Sequence, residues 1–143
     1  MYIADAAFYL PEKVVSNDYF EDLTGLTDTW IVERTGIKQR RKAKEGENSH
    51  TMAVDAVKAL QQTADLSDVD LVVGVSYTPY DTVSTMAHRI QHHLDIKDLQ
   101  AVYISSACSS FINAMELVEG YFAMGKSSKA LVVLAEHNTA YNN

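Results

Sequence analysis

The sequence predicts an α/β fold with helices layered on a mostly parallel sheet. Short, mostly apolar runs that suit strands, at 71–77, 101–104 and 129–135, alternate with segments whose apolar residues recur at helical spacing. The run at 71–77 is almost unbroken, as a strand buried on both faces should be. Across the 143 residues, 47% are hydrophobic and 22% charged, which is the balance of a globular chain and not of a disordered or fibrous one.

Taken in order, residues 2–9 are short, apolar and stopped by Pro11, which suits a strand. Residues 16–34 read as short helical pieces, with Ser16 or Asn17 and then Thr27 or Asp28 as N-caps. Lys38, Arg40, Arg41, Lys42 and Lys44 crowd into residues 38–44, a run expected to be a solvated loop partly neutralised by Glu45 and Glu47. Met52, Ala53, Ala56, Val57 and Leu60 then keep helical spacing, with Asn48 or Ser49 as cap. Val83, Met86, Ala87, Ile90 and Leu94 define one face of a second helix. Residues 111–124 are apolar on nearly every side, which predicts a helix packed on several sides and the most buried of the set. Alternation of this kind implies right-handed crossovers between parallel strands.

The formal charge is 12 − 19 = −7, which argues against a general nucleic-acid binder. No apolar run approaches the ~20 residues that cross a bilayer, and no basic and apolar leader follows Met1, so a cytoplasmic protein is expected. A single cysteine cannot form an intramolecular disulfide, which leaves Cys108 as a packed or a reactive thiol. It falls where the strand at 101–106 meets the helix that begins at Ser109. There the helix dipole and unpaired backbone N–H groups favour a thiolate and offer a donor to a developing oxyanion. The Gly-x-nucleophile-x-Gly pattern of hydrolases is absent.

Several segments together resemble β-ketoacyl-ACP synthase III enzymes of the thiolase-like superfamily. They are residues 9–17 (Tyr-Leu-Pro-Glu-Lys-Val-Val-Ser-Asn), 27–37 (Thr-Asp-Thr-Trp-Ile-Val-Glu-Arg-Thr-Gly-Ile) and 70–74 (Asp-Leu-Val-Val-Gly), then 88–91 (His-Arg-Ile-Gln), 106–111 (Ser-Ala-Cys-Ser-Ser-Phe) and 130–136 (Ala-Leu-Val-Val-Leu-Ala-Glu). The resemblance runs in register over essentially the whole chain. It implies a single domain over residues 1–143 that forms the N-terminal half of a thiolase-like fold, with the C-terminal half absent. It further implies a decarboxylating Claisen condensation in fatty-acid or related biosynthesis. Cys108 would carry an acyl group taken from acyl-CoA and pass it to the carbanion of malonyl-ACP. Trp30 and Arg34 match positions at the CoA entrance, where an indole face suits adenine and a guanidinium suits charged groups. Taken alone, the two residues are better read as a half-buried helix anchor and a surface cation, because single exposed charges are usually just solvated. A homodimer is implied, paired through the strand that leads to the nucleophile. The implied partners are acyl-CoA and acyl carrier protein, with no nucleic acid, no membrane, no metal and no cofactor.

Three positions depart from the family pattern. Ser110 stands where a glycine is usual, Leu26 replaces a threonine at the CoA mouth, and Val83 takes the place of an aromatic that lines the acyl pocket across the dimer. None of His50, His88, His92, His93 and His137 matches a catalytic family position, because the implied His and Asn for malonyl decarboxylation lie in the second half. The chain alone is therefore expected to lack condensation activity. His88 and His92 have zinc-like spacing, but HExxH requires Glu where Arg89 stands. An accessory role for the basic run at 38–44, toward CoA phosphates or an acidic carrier, stays open. So do two other readings of the whole chain: a non-catalytic module that dimerises or binds a partner, and a thiol-based redox or hydrolase protein using Cys108.

Overall fold

In the computed structural model, which describes residues 1–140, the chain divides into two units: residues 10–46, and residues 1–9 together with the chain from Glu47 onward. The smaller unit runs β1 (Lys13–Ser16), α1 (Asp18–Thr24), α2 (Asp28–Thr35) and β2 (Gln39–Lys42). The larger contains α3 (Ser49–Leu60), β3 (Leu71–Val75), α4 (Met86–Leu94), β4 (Gln100–Ile104), α5 (Ser110–Ala123) and β5 (Ala130–Leu134).

In the larger unit β3 lies between β4 and β5, parallel to both, with Leu71 opposite Gln100 and Ala130. All five β3 residues are buried, because helices cover both faces. Val72, Leu131 and Val133 meet Ala53, Val57 and Leu60 of α3 and Met86, Ala87 and Ile90 of α4. Leu71, Val73 and Val75 point the other way, onto Ala114 and Val118 of α5. The alternation of strand side chains thus sorts neighbouring residues into two cores. Gly74 lets α4 approach closely: a Cβ built there would lie 2.8 Å from the backbone nitrogen of Ala87. Of the two candidate caps it is Asn48 that caps α3, its side-chain oxygen accepting from the N–H groups of His50 (3.0 Å) and Thr51 (3.1 Å).

In the smaller unit β1 and β2 pair antiparallel, Lys13 opposite Lys42 and Ser16 opposite Gln39. The basic run is therefore largely a strand and not the loop expected, because β1 supplies the ladder partner that the charge pattern conceals. Asn17 precedes α1 without capping it through its side chain. Its buried amide donates instead to Asp28 (2.8 Å) and to the Ile37 carbonyl (2.8 Å), and its oxygen accepts from Arg40 (2.6 Å). Arg40 also lies over the Phe20 ring at 4.2 Å. Thr27 is the true cap of α2, accepting from the Trp30 N–H at 3.2 Å.

Three further expectations need correction. Residues 2–9 form no strand: they have no ladder partner among the described residues, and Tyr2, Ile3 and Phe8 stand exposed. Val83 is not on α4 but in the loop before it. The Asp81 carboxylate accepts the N–H groups of Val83 (2.8 Å) and Ser84 (3.3 Å), a local turn that competes with the helix and delays its start to Met86. The helix after Cys108 is not the most buried: α5 buries Ser110, Ala114 and Val118, whereas Phe111 (39%) and Ile112 (58%) are exposed. By contrast α3 buries Ser49, His50, Met52, Ala53, Val57 and Leu60. The apolar pattern of α5 asks for contacts on several faces, and a three-stranded sheet covers only one.

Candidate functional site

Parallel strands bring the ends of β3, β4 and β5 to one edge of the sheet, where α/β folds place their ligands. Cys108 follows β4 there, exposed in a one-turn 3₁₀ segment at residues 107–109 that leads into α5. Ala107 just before it has φ = 48°, a left-handed conformation that side chains normally avoid at a cost of about 1–2 kcal/mol. Such strain persists only where surrounding bonds over-determine it, and here serines do so. The Ser106 N–H donates to Ser110 Oγ (2.7 Å), and the Ser106 carbonyl accepts from the Ser109 hydroxyl (2.7 Å) and the Ser109 N–H (3.2 Å). Ser110, which departs from the usual glycine, is buried and holds the elbow closed through its hydroxyl. The Cys108 N–H has no protein acceptor among the described residues, so it is available to an oxyanion.

The same edge carries a second feature that sequence reading missed. The Glu136 carboxylate, beyond β5, accepts from the Ser76 hydroxyl (3.2 Å), the Tyr77 N–H (3.0 Å), the Thr78 N–H (3.1 Å) and the Thr78 hydroxyl (2.6 Å). Thr78 Oγ1 in turn accepts from the His137 N–H at 2.7 Å. Tyr103, on β4, donates to the Ser76 carbonyl. These bonds tie the chain leaving β3 to the chain leaving β5 and to β4 itself. The sole signal in the sequence is a glutamate directly after an apolar strand.

Val83 is fully displayed at this side of the fold, 87% exposed in the loop between β3 and α4. Trp30 and Arg34 belong to the smaller unit. They sit four residues apart on α2, with the guanidinium 4.9 Å from the indole ring centroid, so the structure joins them into one exposed cation–π platform. The α4 histidines take separate partners: His88 Nδ1 lies 2.9 Å from Thr85 Oγ1, and His93 Nε2 lies 3.1 Å from Gln61 Oε1. No group of three or more metal-ligating side chains occurs among the described residues. No helix among them is long and apolar enough to cross a membrane.

No protein-family model matches the chain. It is 36% identical over 130 residues to β-ketoacyl-[acyl-carrier-protein] synthase III 2 of Staphylococcus epidermidis, a match covering 90% of this chain and 40% of that protein. Its fold is similar to the crystal structure of 3-oxoacyl-[acyl-carrier-protein] synthase III from Aquifex aeolicus, with a TM-score of 0.86 at 36% identity over 94% of this chain and 44% of the other. The corresponding Thermus thermophilus enzyme gives a TM-score of 0.89 at 31% identity, over 96% of this chain and 43% of that one. The chain thus spans about 40% of the length of the curated relative, fits the N-terminal half of such proteins, and shares their thiolase-like α/β fold.

Proposed function

We propose that this chain is the nucleophile-bearing half of a condensing acyltransferase of the β-ketoacyl-ACP synthase III type, with Cys108 as acyl acceptor. The observation that carries this reading is the exposed thiol on a strained, serine-braced elbow at the strand-end edge of the sheet. In the first step the Cys108 thiolate adds to the thioester carbonyl of an acyl-CoA. The oxyanion that forms accepts a hydrogen bond from the Cys108 N–H. As the intermediate collapses the C–S bond to CoA breaks, and the departing CoA thiolate takes up the proton that Cys108 released. In the second, malonyl-ACP loses CO2 and its carbanion attacks the acyl-Cys108 carbonyl. A β-ketoacyl-ACP forms and the thiolate is restored.

The Trp30–Arg34 platform suits the planar adenine and the charged groups of CoA. Val83 is a candidate lining residue for the acyl pocket, its small side chain leaving room for a longer acyl chain than an aromatic would. Acyl carrier protein is the proposed second partner. Groups that act as a unit are strongly non-additive in catalysis. The 143 residues by themselves are therefore proposed to support slow acylation and no measurable condensation.

Intact-protein mass spectrometry after incubation with acetyl-CoA, and separately with a longer acyl-CoA, tests this. The expected result is one acyl mass on Cys108, none on the Cys108→Ala variant, and unchanged labelling of His88→Ala and His92→Ala. Absence of any adduct would reject the acyl-acceptor role. Oxidation by peroxide without any reaction with acyl-CoA would favour a redox thiol, and multiple-turnover condensation by this chain alone would reject the division of labour.

A further inference from the structure

A cavity of about 240 Å³ in the larger unit is walled by Asn48, His50, Tyr80, Asp81, Ser84 and Arg89. His50 is 3% exposed, and its Nε2 is the one buried side-chain nitrogen or oxygen among the described residues that has no hydrogen-bond partner. A buried polar atom in that state is costly, and it calls for a partner that enters from solvent. Nor is it the only unengaged polar group around the cavity. The Arg89 guanidinium, the Ser84 hydroxyl and the Asn48 side-chain NH2 also have no hydrogen bond or ion pair among the described residues. Tyr80 forms a wall: its ring meets the imidazole edge-on at 5.9 Å, and its N–H donates to Ser49 Oγ at 3.1 Å, which pins the loop to α3.

A cavity lined by surplus donors suits an acceptor-rich occupant, and a guanidinium matches a carboxylate through two parallel hydrogen bonds. Charge narrows the choice further. Burial keeps the His50 imidazole below its usual pKa, with Asp81 opposing and Arg89 reinforcing that shift. Asp81 is held below its usual value by the Val83 and Ser84 N–H groups, so it stays charged. With His50 neutral, Arg89 and Asp81 cancel. A dianion would meet the Asp81 charge at greater cost than a monoanion.

We propose that this cavity is a binding site for a small monocarboxylate, clasped by Arg89, Ser84 and Asn48 and completed at its floor by His50. The site is independent of acyl transfer at Cys108, and the test keeps the two apart. Protein labelled with 15N-histidine is titrated with sodium acetate, sodium phosphate and sodium chloride at matched ionic strength and fixed pH. The His50 ring resonance should move saturably with acetate, at lower concentration than with phosphate, and not with chloride. Arg89→Gln, at an exposed position, should weaken acetate binding about tenfold. Ser84→Ala should weaken it by a smaller factor, and Cys108→Ala should leave it unchanged. An unsaturated response shared by all three salts, no response at all, or unaltered binding by Arg89→Gln would overturn the site and leave the cavity to water. Tighter binding of phosphate than of acetate would overturn the monocarboxylate assignment.

Discussion

His50 shows how one residue sets a pH limit on the fold. Its folded pKa lies below the ordinary 6.5 because burial disfavours the imidazolium, although Asp81 partly opposes the shift. The unfolded chain therefore binds a proton first as pH falls. The stability linked to His50 is fully present above pH 6.5 and is lost progressively as pH drops from 6.5 through the lower folded value. Urea midpoints measured between pH 7.5 and about 5 should fall for the native protein, and fall less for His50→Gln. Equal slopes for the two proteins would refute the assignment. Cys108 was legible at this scale because the strand-forming run before it and the apolar helix after it put the lone thiol at the junction between the two. The left-handed Ala107 and the Ser106–Ser110 bond were not legible, since a backbone dihedral and its brace depend on how the strand enters the helix.

Among the elements, β3 and α4 approach so closely at Gly74 that a side chain there has no room. Gly74 sits mid-strand, where glycine is ordinarily unfavourable, and its lack of a Cβ admits the Ala87 backbone. Gly74→Ala would force a carbon to within 2.8 Å of a backbone nitrogen that cannot swing aside. Overpacking of this kind typically costs about 1–3 kcal/mol. Denaturant unfolding should show that loss, and a variant as stable as the parent would mean that α4 slides without cost. Element types were readable where periodicity and caps agreed, as in α3 with its Asn48 box. They were misread where a partner decides: β2 exists because β1 lies beside it, and residues 2–9 form no strand because no described segment pairs with them.

At the scale of the molecule, the larger unit leaves apolar surface uncovered. Phe111 and Ile112 on α5 are exposed, as are Tyr2, Ile3 and Phe8 near the N-terminus, and β4 is an edge strand. An exposed edge beside apolar side chains is a template for pairing. We propose that two copies pair through β4, the strand that leads to Cys108. Sedimentation at micromolar concentration should give about twice the 15.9 kDa of one chain and should dissociate on dilution, as mass action requires. A species of 15.9 kDa across that range would count against the dimer.

The sequence by itself determined the α/β alternation, the double-sided burial of β3, the start of α3 to within one residue and the place of Cys108 between strand and helix. Each follows from residues near one another along the chain: a period, a cap, a junction. Tertiary structure alone decided the Glu136 clasp on residues 76–78, which joins positions 60 apart for Ser76, and the unpartnered nitrogen of His50. It also decided that one face of α5 stays open. A hydrophobic pattern records which faces favour burial, because transfer from water depends on the side chain itself. Whether a face is covered, a donor paired or a ladder completed depends on which distant segments arrive beside it.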